Sequence, residues 1–149
     1  MGRENLRLLT LTHLTMNRKI IIEAIEQAAT TLGYEFHCDG ERQMPVAVKS
    51  YPAMWLMPPQ FAKIEGRRHG KITFSVELLA MEDGAKYSAT ERRGALERLE
   101  VDVVQLFSSV SQHQRVVAVN NLSMDTNPKT HSSHGELVTK AKAEVVVFF

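Results

Sequence analysis

Two runs of strict alternation constrain this chain more than anything else in its 149 residues. From Lys71 to Met81, "KITFSVELLAM" sets Ile72, Phe74, Val76, Leu78 and Ala80 on one side of an extended backbone, with Thr73, Ser75, Glu77 and Leu79 on the other. From Gly135 to Phe149, "GELVTKAKAEVVVFF" sets Leu137, Thr139, Ala141, Ala143, Val145, Val147 and Phe149 against Lys140, Lys142 and Glu144. A period of two marks a strand with one buried face. The fold therefore contains a sheet with one apolar side, and that side needs a covering layer.

Two segments can supply the cover. In "NRKIIIEAIEQAATTL", Ile21, Ile25, Ala28 and Leu32 recur at helical steps, with Asn17 as N-cap and Gly33 as the stop. Upstream, Leu6, Leu9, His13, Met16 and Ile20 keep a helical spacing, while Leu9 and Leu11 alternate with Thr10 and Thr12 as a strand would. Residues 1–15 are accordingly expected as an N-terminal extension ahead of a single domain spanning 16–149. In "SATERRGALERLEVDVVQLFSSV", Ser88 and Glu91 have capping-box spacing. Leu96, Leu99, Val103, Leu106, Phe107 and Val110 then share one helical face.

Gly66 and Gly70 bracket Arg67, Arg68 and His69 between strand-like runs, which predicts a β-hairpin with a basic tip. "RVVAVNNLSM" predicts a further strand, and the polar, turn-rich "DTNPKTHSSHG" connects it to the last one. By the layer rules, this order gives an α+β fold: two helices packed on one face of a mainly antiparallel sheet, with a protruding hairpin.

Composition narrows the function classes. An apolar fraction of 44%, a charged fraction of 23% and a net charge of +1 are those of an ordinary globular domain without a general pull toward nucleic acid or membrane. Cys38 is the sole cysteine, which rules out an internal disulfide or a thiolate cluster within one chain and suits a reducing cytosol. The opening residues lack the apolar core and cleavage site of a signal peptide, and no run approaches the roughly 20 apolar residues of a membrane span.

No phosphate-binding glycine loop, nucleophile elbow or HExxH occurs. His131 and His134, spaced H-x-x-H, could ligate a metal together with Asp125 or His113, or could be solvated loop residues. His37 beside Cys38 suggests a thiolate and its base, but neighbours in an extended chain point to opposite faces. Arg67, Arg68, His69 and Lys71 form a small basic patch fit for a protein contact, a solvated tip or phosphates, without the aromatics that stack on bases.

"SYPAMWLMPPQF" is apolar on both sides. Met54 and Leu56 are assigned to the core. With helices on one sheet face only, Trp55 and Met57 have no evident partner inside the chain and are assigned to a subunit contact. Pro58 and Pro59 should end the strand's pairing.

This order of pieces, with "PAMWL" opening a strand, "KITFSVELLAM" closing a long hairpin, one long helix and a final strand, resembles the tail terminator (minor tail) proteins of long-tailed bacteriophages over roughly 16–149. The resemblance implies a structural protein without enzyme activity, catalytic residues, metal or cofactor. It implies a homo-oligomeric ring, a hexamer, that caps the tail tube and joins tail to head, with the tube protein and a head-completion protein as partners. Trp55, Met57, Arg67, Arg68, His69 and Lys71 would then lie at subunit or tube contacts. Nucleic acid would enter only through the ring lumen, and the protein would pass from host cytoplasm to virion tail.

Overall fold

The computed structural model describes residues 3–40, 50–66, 69–126 and 136–149, with side chains from Leu11 onward. The elements follow in the order α1 (Arg3–Thr31), β1 (Glu35–Cys38), β2 (Ala53–Leu56), β3 (Gln60–Gly66), β4 (Gly70–Asp83), α2 (Ala89–Ser111), β5 (Val116–Thr126) and β6 (Glu136–Phe148). They form the expected α+β architecture.

The two alternating runs become β4 and β6, which pair antiparallel over their whole length, from Lys71 opposite Phe148 to Asp83 opposite Glu136. The sheet order is β1-β2-β4-β6-β5, with β3 also on β4. All contacts are antiparallel except β1 on β2. Ile72, Phe74, Val76, Leu78 and Ala80 of β4 are buried, together with Leu137, Ala141, Ala143, Val145 and Val147 of β6. Against this face α1 lays Ile21, Ile25, Ala28 and Ala29, and α2 lays Ala95, Leu99, Val103, Leu106, Phe107 and Val110. The Tyr34 hydroxyl following α1 donates to Asp102 Oδ2 of α2 at 2.6 Å. Burial first, and that carboxylate second, push the phenol pKa well upward.

The helix ends obey local rules. Ser88 is the N-cap of α2, its Oγ accepting from the Glu91 N–H at 3.2 Å. Gly33 ends α1 with φ of 87°, while its N–H donates to Thr30 O and that of Tyr34 to Ala29 O. These two bonds are a Schellman closure, which needs the left-handed backbone that glycine adopts without steric cost.

The start of α1 departs from expectation. The helix runs through position 17 back to Arg3, so Asn17 is no N-cap but a buried interior residue whose Oδ1 lies 3.5 Å from Arg115 Nη2. The Leu and Arg content of residues 3–9 favours helix, and that outweighs the short Leu/Thr alternation.

Pro58 and Pro59 interrupt the strand without turning it away. Met57 N–H still reaches Glu77 O, pairing resumes at Gln60 opposite Ser75, and both β2 and β3 run along the same edge of β4. Arg18 of α1 donates from Nε to Pro59 O at 3.0 Å and sets its guanidinium 5.3 Å from the Phe74 ring centre. A carbonyl left over at the break is thereby satisfied.

Trp55 requires a correction. Assigned to a subunit contact, it is 1% exposed within the single chain. The outer sheet face changes character along β4: beyond Glu77 it becomes apolar, and Leu79 and Met81 join Ala53, Trp55 and Val138 in a second, smaller core with Met57 half-buried against it. β1, which the periodicity left unassigned, adds the His37 ring stacked on the indole at 5.4 Å, and Asp39 O accepts from Trp55 Nε1 at 2.8 Å. The missing partner is supplied from inside the fold, so a neighbouring subunit is not needed to bury this side chain.

Two stability outcomes follow. Trp55→Ala is expected to cost about 3–5 kcal/mol of folding free energy, measured by urea unfolding, because it empties a packed site and orphans the Asp39 carbonyl. Thr139 is fully buried, and among the described residues its Oγ1 has no hydrogen-bond partner. Thr139→Val keeps the shape, drops the unsatisfied hydroxyl, and should raise stability by about 1 kcal/mol in the same assay.

Candidate functional site

The best-wired polar constellation lies where β1 meets the entry to β2. Glu35 Oε1 is 2.8 Å from His37 Nε2, and Glu35 Oε2 accepts from Ser50 Oγ at 2.6 Å and from Ser50 N–H at 2.8 Å. Nearby, the Tyr51 hydroxyl donates to Glu136 Oε1 at 2.9 Å, and burial together with that bond pushes its pKa up to about 12. Serine, histidine and carboxylate are all present, but the carboxylate sits between the other two. A hydroxyl bonded to a carboxylate, with no imidazole on it, lacks the general base that makes serine a nucleophile. This wiring ties β1 to the strand entry and holds the Glu35 carboxyl below its usual range.

The remaining sequence candidates are dispersed. Phe36 and Cys38 of β1 turn toward the main core while His37 turns toward Trp55, so the adjacent His and Cys face apart as the alternation implies. Burial raises the Cys38 thiol pKa, the opposite of what a reactive thiolate needs. His113 Nδ1 accepts from Arg115 N–H at 3.1 Å, and Asp125 lies opposite Lys140 in the β5–β6 ladder. His131 and His134 lie outside the described residues, as do Arg67 and Arg68. Among the described residues, no three His, Cys, Asp or Glu side chains converge as a metal site would require.

At the hairpin, His69 and Lys71 are exposed, and Lys71 stands opposite Glu65. The tip is closed by Gly66, with φ of 101°, and by Gly70, where a Cβ would run into Glu65 O and the Phe149 ring. Both glycines are there for space and backbone conformation. A groove of about 500 Å³ between the helices is lined by Gln27, Gln105, Ser108, Ser109, Gln112 and His113 over small apolar residues. Its polar groups are scattered amides, hydroxyls and the His113 imidazole, with no Asp, Glu, Lys or Arg in the lining, a poor fit to a site that orients a substrate.

Exposed apolar surface is the more telling feature. Leu11 is 61% and Met16 53% exposed on the first half of α1, on either side of Leu14, which packs against the core. Every residue of β3 is exposed, Phe61 and Ile64 by nearly half. Side chains of this size default to the interior, and Val101 and Val104 of α2 and Phe148 of β6 are exposed to a similar degree. Sequence reasoning missed Leu11, Met16, Phe61 and Ile64, because exposure depends on how far the covering helices reach. No described helix is long and apolar enough to cross a membrane.

No protein-family model matches this chain, and no curated protein matches it either.

The Glu35 wiring sets a pH dependence. The Ser50 hydrogen bond is the largest influence and lowers its folded pKa below the ordinary 4.5, burial opposes it next, and His37 adds a further, smaller lowering. A group depressed on folding contributes stability above its unfolded pKa and loses it as pH falls through the folded value. Urea midpoints measured from about pH 6 to about pH 3 should therefore decline, and Ser50→Ala should flatten that decline relative to the parent. An unchanged slope would remove Ser50 as its cause.

Proposed function

We infer that the protein is a non-enzymatic structural subunit that assembles with copies of itself into a ring, in the manner of the tail terminators that its order of elements resembles. The observation carrying this reading is the apolar flank of α1. Leu11 and Met16 stand in solvent on a helix of 29 residues whose inward face meets the core through Leu14, Ile21, Ile25, Ala28 and Ala29. A lone monomer gains nothing from that surface, whereas burying it between subunits is favourable at about 25 cal/mol per Å².

The polar sites offer no comparable support for catalysis, since Ser50 is bonded to a carboxylate and Cys38 is turned into the core. In the ring, the α1 flank forms the head-to-tail contact between neighbours, and the exposed His69 and Lys71 at the hairpin are available to the tube protein. A head-completion protein is the partner on the other side. Trp55 has no place at these contacts, because the fold uses it internally.

Native mass spectrometry of the purified chain tests the reading. A particle of about six copies is expected, as a closed head-to-tail ring demands. Leu11→Asp with Met16→Asp should return it to smaller species with unchanged circular dichroism. A monomer at high concentration, or assembly indifferent to both substitutions, overturns the assignment.

A further inference from the structure

We propose that β3 is a self-recognition edge, through which two copies of this chain pair antiparallel about a two-fold axis at Ile64. β3 is hydrogen-bonded to β4 on one side, and among the described residues no strand lies on the other. Its neighbours at the sheet margins are less suited to accept a strand. β1 has 4 residues, and β5 carries two register shifts, with Asn121 at φ of 55° inside the second. Bulges and short length are the usual means of blunting an edge. β3 has one shift, between Phe61 and Lys63, after which its ladder is regular from Lys63 to Gly66.

The side chains of that regular stretch are self-complementary. Lys63 and Glu65 share the outer face, both mostly exposed, with Nζ and Oε1 3.1 Å apart. Ile64 shares the other face with its ladder partner Ile72, which is fully buried, yet Ile64 itself, on the outer strand, is 45% exposed. In an antiparallel pairing centred on Ile64, Lys63 faces the partner's Glu65, Glu65 faces the partner's Lys63, and Ile64 faces the partner's Ile64. Small residues follow, with Ala62 against the partner's Gly66.

Other registers are worse. Centring on Lys63 or on Glu65 sets like charges directly opposite, and parallel in-register pairing repeats the clash at both positions, arrangements that cross-strand preferences disfavour. A lysine alone would deter self-pairing, but a lysine two residues from a glutamate specifies it. The face toward α1 gains contact between two half-exposed isoleucines, and Phe61, in edge contact with Phe74 at a centroid distance of 6.5 Å, extends the apolar strip. Such a two-fold contact closes on itself, unlike the head-to-tail contacts of a ring. It therefore goes beyond the ring reading and stands or falls separately.

Cysteine crosslinking tests it directly. Directly opposed residues of an antiparallel pair have Cα atoms about 4.5–5.5 Å apart, within disulfide range. In a Cys38→Ser background, Ile64→Cys should form a disulfide-linked dimer under mild oxidation about tenfold faster than Lys71→Cys, which lies on β4, away from the axis. Lys63→Glu should abolish the fast crosslink, and adding Glu65→Lys should restore it by exchanging the charges. Equal rates at 64 and 71, meaning random collision, or no rescue by the exchange, would overturn the two-fold edge. Circular dichroism of each variant confirms that its fold is intact. Particle mass is read separately, so a dimer without a six-fold particle removes the ring and leaves this contact standing.

Discussion

A strand of 14 residues exposes two long rows of backbone donors and acceptors, and β4 satisfies them by taking β6 along one edge and β2 and β3 in succession along the other. Unpaired backbone groups in a buried position are costly, so this pairing has to be complete beneath the helices in the folded protein. Once it has formed, the inward row Ile72, Phe74, Val76, Leu78 and Ala80 presents a continuous apolar face, and α1 and α2 have one way to cover it. The break at Pro58 and Pro59 is tolerated because β4 is the shared template. The chain leaves the ladder after Met57, is held by Arg18 at Pro59, and rejoins the same strand at Gln60.

The opposite face of the sheet is divided. Around Trp55 it is a second core, closed by β1 from the side and by the His37 ring above the indole. Further along it is charged, with Glu77 Oε2 3.6 Å from Lys140 and its Oε1 3.5 Å from Lys142. Exposed ion pairs of this kind contribute at most about 1 kcal/mol, so the charged half keeps the sheet wet and sets solubility more than stability. The apolar half carries the energy, since burying an indole removes one of the largest side-chain surfaces from water.

For function, the contrast lies between how polar groups are spent and where apolar groups are left over. Glu35, Ser50, His37, Tyr51 and Glu136 are engaged with one another near the entry to β2. Leu11 and Met16 on α1 are more than half exposed, and Phe61 and Ile64 on the edge strand nearly half. Free energy available for association resides in the second set, which is why a self-assembling structural role is the reading that the physical chemistry favours. The two apolar surfaces are also chemically different. The helix flank offers side chains alone, whereas the edge strand adds a row of backbone groups and a charge pattern that sets register.

By itself the sequence determined what local periodicity and local stereochemistry can determine. The alternation of β4 and β6, the inward face of α2, the Ser88 cap, the Gly33 stop and the glycine-bracketed hairpin all depend on residues within a few positions of one another. The opposed orientation of His37 and Cys38 was legible for the same reason. Only the tertiary structure decided the rest. That Asn17 is buried and meets Arg115, 98 residues away, is a contact no local pattern announces. Whether Trp55 is surface or core turns on β1 pairing parallel to β2 and on Leu79, Met81 and Val138 arriving from strands distant in the chain. Ile64 and Ile72 share a ladder position, yet one is open and the other closed, because Ile72 lies between β3 and β6 while Ile64 lies on the outer strand. Periodicity assigns a side to a residue, but what stands on that side is a non-local fact.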